Sequence, residues 1–149
     1  MSSKLLLDTS VLVRLCHPST AHADVQEWLR SLLLRGKDAP ELLVSVISDY
    51  EIRQTFLRRG ASESLSRLDD LARSVTYVPL SAAVARRAAE LAASLSTPWL
   101  GGVADADFLI AAQAMALSAV LVTSDRRLKE TLKDIADLPV KDWHEVVLD

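Results

Sequence analysis

Leu5-Leu6-Leu7-Asp8-Thr9-Ser10 joins three consecutive apolar residues to an acid and two hydroxyls. An apolar run without alternation suits a strand buried on both faces, and the polar trio marks the turn that ends it. The same grammar recurs downstream. Residues 42–47 form a second β-branched and apolar run, 75–80 a third with Pro79 near its end, 119–123 a fourth, and 140–143 a last short one. Helical patterns lie between them. Over 19–34, Val25, Trp28, Leu29, Leu32 and Leu33 follow the helical period, and Gly36 stands where a helix stops. Ser48 and Glu51 have the Ser-x-x-Glu spacing of a capping box, opening a helix through Arg59 that Gly60 closes. Further helices are read over 63–73, along the stripe Val84, Ala88, Leu91 and Leu95, over 105–117, and over 126–133. Residues 97–104, with Pro98, Trp99 and Gly101-Gly102, read as a flexible loop. Strands alternating with helices imply an α/β class: a mainly parallel sheet with helices on both faces, because parallel neighbours need crossover connections.

At 149 residues the chain has the length of one domain, and it can bury roughly 70% of its unfolded surface without a disulfide or structural metal. Its 17 Lys and Arg against 20 Asp and Glu give a net charge of −3, which argues against a basic nucleic-acid coat and leaves room only for a local patch. A lone cysteine, Cys16, forms no intrachain disulfide and suits a reducing compartment. His17, His22 and His144 have no zinc-type spacing. The leading apolar run, ended by Asp8, is too short for a signal-peptide core or a membrane span, so a cytoplasmic protein is expected. Trp28 reads as a core or dimer contact, and Trp143 as packing for the C-terminal segment.

Asp8, Glu51 and Asp125 each follow a strand at its junction with a helix, and in a parallel sheet those junctions share the ligand-binding edge. Asp107 joins them from the first turn of its helix. Each acid also has an ordinary reading: Asp8 and Asp125 as helix N-caps, Glu51 as the capping-box glutamate, and Asp105 and Asp107 as acids favoured by a helix dipole. Capping does not require acids to gather, however. Like charges about 4 Å apart repel by on the order of 4 kcal/mol at an effective dielectric near 20, and a divalent cation relieves this. A set of oxygens without His or Cys selects hard ions, Mg²⁺ or Mn²⁺. The matching chemistry is metal-assisted attack of water on a phosphodiester.

The stretches Leu5–Val13, Asp49-Tyr50-Glu51-Ile52-Arg53, Asp107-Phe108-Leu109-Ile110-Ala111-Ala112-Gln113-Ala114 and Leu121-Val122-Thr123-Ser124-Asp125 together resemble the PIN-domain family, particularly the VapC-like toxins of bacterial toxin–antitoxin pairs. The resemblance spans essentially the whole chain. It implies a three-layer α/β/α sandwich with about five strands and a Mg²⁺-dependent endoribonuclease, with Mn²⁺ as substitute. By position it implies Asp8 and Asp107 as principal metal ligands, Glu51 and Asp125 completing the catalytic quartet, and Asp105 as a cap or supporting group. It also implies a small antitoxin partner and a homodimer. Thr9, Ser10, Thr123 and Ser124, beside the acids, are candidates to orient carboxylates or water, or to serve the turns. Arg53, Arg58 and Arg59, with Arg126, Arg127 and Lys129, are candidates to hold RNA phosphates, or they are ordinary solvated helix surface.

Two other readings stay open. One is a Mg²⁺-dependent phosphoryl-transfer or signalling domain with Asp8 as acceptor. Against it, Ser10 stands where such phosphatases want a second acid, and Tyr77-Val78-Pro79-Leu80 stands where receiver domains want their acceptor. The other is a PIN-like binding module without catalysis.

Overall fold

In the computed structural model, residues 3–95 and 105–146 are described. The loop read over 97–104, Trp99 included, lies outside them. Five strands, β1 (Lys4–Leu7), β2 (Glu41–Ser45), β3 (Thr76–Val78), β4 (Val120–Val122) and β5 (Val140–Lys141), form one sheet in the order β3-β2-β1-β4-β5. Every pairing is parallel, with Leu6 opposite both Leu43 and Leu121. The expected α/β/α sandwich is what the chain adopts.

The apolar runs do not alternate because both faces of the sheet are covered. Leu6, Leu43 and Leu121 point into one core with α5 (Ala82–Ser94), α6 (Asp105–Leu117) and α7 (Arg126–Leu132). Leu5, Leu7, Leu42, Val44 and Val122 point into the other, beneath α1 (Thr9–Cys16), α2 (Ala23–Leu33), α3 (Val46–Arg59) and α4 (Ser62–Ala72). Small residues let α6 sit close to the sheet: Ala111, Ala112 and Ala114 are wholly buried. Trp28 and Trp143 pack together on the α2 side, ring centroids 6.0 Å apart.

Several boundaries differ from the sequence reading. The expected helix over 19–34 is a 3-10 turn, Thr20–His22, followed by α2. The second strand stops at Ser45, and α3 starts at Val46 with Ser45 as its N-cap, the Ser45 hydroxyl accepting from the Ile47 N–H at 3.1 Å. Ser48 and Glu51 are therefore not a capping box; they lie inside the helix, Ser48 in its first turn and Glu51 in its second. Gly60 does close α3, in the left-handed conformation at φ 62° that suits glycine. Among the described residues no helix is long and apolar enough to cross a membrane.

Leu6 lies at the middle of the central strand and has no exposed surface. Leu6→Ala is expected to cost about 2–5 kcal/mol in urea unfolding. The same truncation at Leu34, which is 79% exposed, is expected to cost less than about 0.5 kcal/mol.

Candidate active site

The chain moves outward from β1 to β2 and β3 on one side, then crosses back to β4 and β5 on the other, so the strand order reverses between β1 and β4. In parallel sheets the crevice beyond such a reversal is where ligands bind. Asp8 ends β1 there and Thr123 ends β4, and the Asp8 N–H donates to the Val122 carbonyl at 2.9 Å.

Asp8 occupies the N-cap position of α1, yet its side chain makes no capping hydrogen bond. It is 3% exposed. Its Oδ2 accepts from Ser10 Oγ and from Thr123 Oγ1, both at 2.8 Å. Each hydroxyl is itself fixed by a backbone donor, Ser124 N–H to Ser10 Oγ at 2.9 Å and Asp125 N–H to Thr123 Oγ1 at 3.0 Å. Four residues thus immobilise one carboxylate oxygen. The other, Oδ1, is buried without a hydrogen-bond partner among the described residues, as is Ser124 Oγ. Leaving a buried carboxylate oxygen unmatched is costly. Burial pushes the Asp8 carboxyl above its ordinary value, and the donors Thr123 and Ser10 only partly oppose this, with nearby Thr9 and Ser10 backbone N–H groups adding to them. Thr9 itself turns away, donating to Ser48 Oγ at 3.1 Å.

Glu51 is half-buried in the second turn of α3. Burial is the main cause that raises its carboxyl, followed by the charges of Asp107 and then Asp8. Those neighbours place the three acids in one electrostatic neighbourhood. Asp107 is half-buried and Asp105 exposed in the first turn of α6. The start of α3 reaches past the edge of the sheet, since Ile47 packs against the α5–α6 core whereas Ile52 and Phe56 pack on the α1–α4 side. This carries Glu51 toward α6.

Asp125 is exposed and caps α7, its Oδ1 accepting from the N–H groups of Arg127 at 2.9 Å and Leu128 at 3.3 Å. Its ordinary reading as a cap is real, and Oδ2 takes no part in it. Among the described residues, no three His, Cys, Asp or Glu side chains are grouped so as to enclose a metal ion. The donor set still fits Mg²⁺ or Mn²⁺, because Mg²⁺ keeps several waters and takes one or two carboxylates directly, and the unpartnered Asp8 Oδ1 is such a ligand.

The basic candidates separate. Arg126 and Arg127 are exposed at the N-terminus of α7, and their side chains have no ion pair with a described residue. Lys129 pairs with Glu145. Arg53 donates to Asp49 and Asp69, a structural commitment that the substrate-grip expectation overlooked. Arg58 and Arg59 lie in the last turn of α3, so Arg58 is about 10 Å along the axis from Glu51 although on its face. Cys16 is buried, and burial pushes its thiol up to about 12, far from a nucleophile. Sequence reading missed Ser48, Asp49, Asp69 and Tyr77. Only the Asp49–Arg53 pair had a visible signal, its four-residue spacing.

The family model for the PIN domain matches residues 5–133. Solved structures share the fold at low identity. A VapBC2 complex from Rickettsia felis bound to a DNA fragment from their promoter is 23% identical, with TM-score 0.73 over 94% of this chain and 98% of that one. FitAcB from Neisseria gonorrhoeae is 24% identical, with TM-score 0.69 over 95% and 99%. VapBC-5 from Mycobacterium tuberculosis, of the VapBC family of toxin–antitoxin systems, is 22% identical, with TM-score 0.65 over 94% and 98%. No curated protein matches significantly.

A carboxyl raised in the fold keeps its proton at a pH where the unfolded chain releases it. Its contribution to stability therefore falls as pH rises from the ordinary 3.8 through the raised folded value, and at neutral pH the metal-free protein bears the full cost. Asp8→Asn keeps an oxygen for Ser10 and Thr123 and removes the charge. Differential scanning calorimetry without metal at pH 7 is expected to show a higher Tm, by about 2–4 °C for each kcal/mol relieved, and a much smaller difference near pH 4.

At α7 a second test separates charge from capping. Asp125→Asn, an equally good cap, leaves the Tm within about 1 °C of wild type, whereas Asp125→Ala costs about 1 kcal/mol.

Proposed function

This chain belongs to the PIN-domain family, and we propose that it is a Mg²⁺- or Mn²⁺-dependent endoribonuclease, the toxin of a toxin–antitoxin pair. The observation that supports this most is the Asp8 carboxylate, clamped through Oδ2 by two hydroxyls while the buried Oδ1 has no partner among the described residues, in an electrostatic neighbourhood shared with Glu51 and Asp107. Asp8 stands at the N-cap of α1, yet its side chain makes no capping hydrogen bond there.

In this reading Asp8 and Asp107 are the principal metal ligands, and Glu51 and Asp125 complete the acidic set. The ion, when bound, lowers the pKa of the attacking water and shields charge building on the phosphate. Ser10 and Thr123 hold the Asp8 carboxylate in one orientation, so no reorganisation is required as substrate arrives. Glu51, on α3 near the other acids, would take a proton from the attacking water at its carboxylate. Arg126 and Arg127, exposed beside Asp125 and without an ion pair to a described residue, hold phosphates of the RNA. The partner is a small antitoxin that presents an arginine to the acidic groove, whose carboxylates accept a guanidinium in bidentate fashion. The protein acts in the cytoplasm as a homodimer, each chain a single domain.

Total cellular RNA incubated with the protein and Mg²⁺ or Mn²⁺ is expected to be cut at defined sites, with no cutting in EDTA and none by Asp8→Asn or Asp107→Asn. Persistent cutting by Asp8→Asn, or an inert wild type that instead takes label from a phosphodonor, overturns the reading. Replacing Arg126 and Arg127 by Ala is expected to weaken RNA binding and to flatten its salt dependence by about 0.7 log units per log salt for each lost phosphate contact.

A further inference from the structure

Glu51 reaches the site on a helix that apolar burial anchors only weakly. Of the 14 residues of α3, the buried hydrophobics are Ile52 and Phe56, while Val46, Tyr50 and Leu57 are exposed. Ile47 touches the α5–α6 core in the first turn, and beyond it the apolar hold against a roll about the axis comes from Ile52 and Phe56. A side chain stands roughly 6 Å from that axis, so a roll of about 20° sweeps its end by about 2 Å, enough to disrupt a catalytic contact.

Polar contacts resist that roll on the flank facing away from Glu51. Asp49 and Arg53 lie two residues before and after Glu51, hence roughly 160° round the helix from it. The Tyr77 hydroxyl, on edge strand β3, donates to Asp49 Oδ1 at 2.9 Å. Arg53 grips both Asp49 oxygens, Nε to Oδ2 and Nη2 to Oδ1, each at 3.1 Å, and its Nη1 donates to Asp69 Oδ1 of α4 at 2.9 Å. A strand and a neighbouring helix are thereby tied to one flank of α3. On the inner side, buried Ser48 accepts from Thr9 of α1.

We propose that Tyr77, Asp49, Arg53 and Asp69 form a brace that sets the roll of α3 and so holds Glu51 against Asp8 and Asp107. These are positioning residues acting through Glu51, and the proposal rests on the reading of the acidic site as the catalytic centre. Arg53 then serves the reaction without touching RNA, with three of its five N–H donors already engaged inside the fold.

Tyr77→Phe removes one hydroxyl and keeps the ring; Arg53→Lys keeps the charge and breaks the two-pronged grip. Each is expected to lower kcat roughly 5- to 30-fold with KM for RNA unchanged. In a double-mutant cycle, Tyr77→Phe added to Glu51→Gln is expected to cost nothing further, because the brace acts only through the carboxylate. A raised KM with kcat intact, or losses that multiply in the cycle, overturns the proposal. Crystal structures of metal-free wild type and Tyr77→Phe give a readout that needs neither metal nor RNA. The Glu51 carboxylate is expected to move by more than 1 Å relative to Asp107, and an unmoved Glu51 overturns the brace whatever the protein cleaves. A wild type that binds no Mn²⁺ and cuts no RNA overturns the reading of the site instead, and the crystallographic comparison still decides whether the brace exists.

Discussion

An ionisable carboxyl buried at the end of the central strand is the constraint around which the rest is arranged. Asp8 is 3% exposed, and taking a carboxylate out of water costs several kcal/mol unless donors or a cation replace the lost hydration. The fold replaces only half of it. Ser10 and Thr123 serve one oxygen, and the backbone of Ser124 and Asp125 orients those hydroxyls in turn. Because Thr123 ends β4 and Asp8 ends β1, this small network also joins the two strands between which the chain reverses direction. The half left unserved is where an ion of opposite charge has most to contribute.

That arrangement follows from topology before any chemistry is considered. An all-parallel sheet sends every strand toward the same edge, and each crossover helix departs from or arrives at it. Acids far apart in the chain are delivered to one rim by strands whose only requirement is to be apolar on both faces. Asp107 arrives in the first turn of α6 instead, and Glu51 is carried by the second turn of α3 rather than by the end of a strand. Its placement depends on how α3 lies, and α3 has few buried side chains to determine that.

The legible parts of the sequence were those governed by one strong local term. Leu5-Leu6-Leu7 has no alternation because it is covered twice, so strand, burial and layer count could be read from three residues. Gly60 was legible as a helix end because its left-handed backbone favours glycine. The start of α3 was not. Ser45 and Ser48 both offer a hydroxyl three residues ahead of a plausible helix turn, and the choice was made by pairing: Ser45 is held opposite Val78 by the sheet, which ends the strand there and frees its side chain to cap. Arg53 was misread for a related reason. Its attachment to Asp69 and, through Asp49, to Tyr77 joins positions 16 to 28 residues apart, and no local periodicity encodes such partners.

Asp125 shows why an ordinary role and a functional one need not compete. Capping uses one carboxylate oxygen, Oδ1, and holds the side chain at the start of α7; the other oxygen is untouched by that duty. The cap also orders the backbone that carries Arg126 and Arg127, two exposed cations with no ion pair to a described residue. A polyanion approaching this edge therefore meets fixed positive charge first and buried negative charge behind it, so a divalent ion at the acids would be needed before phosphate could move inward.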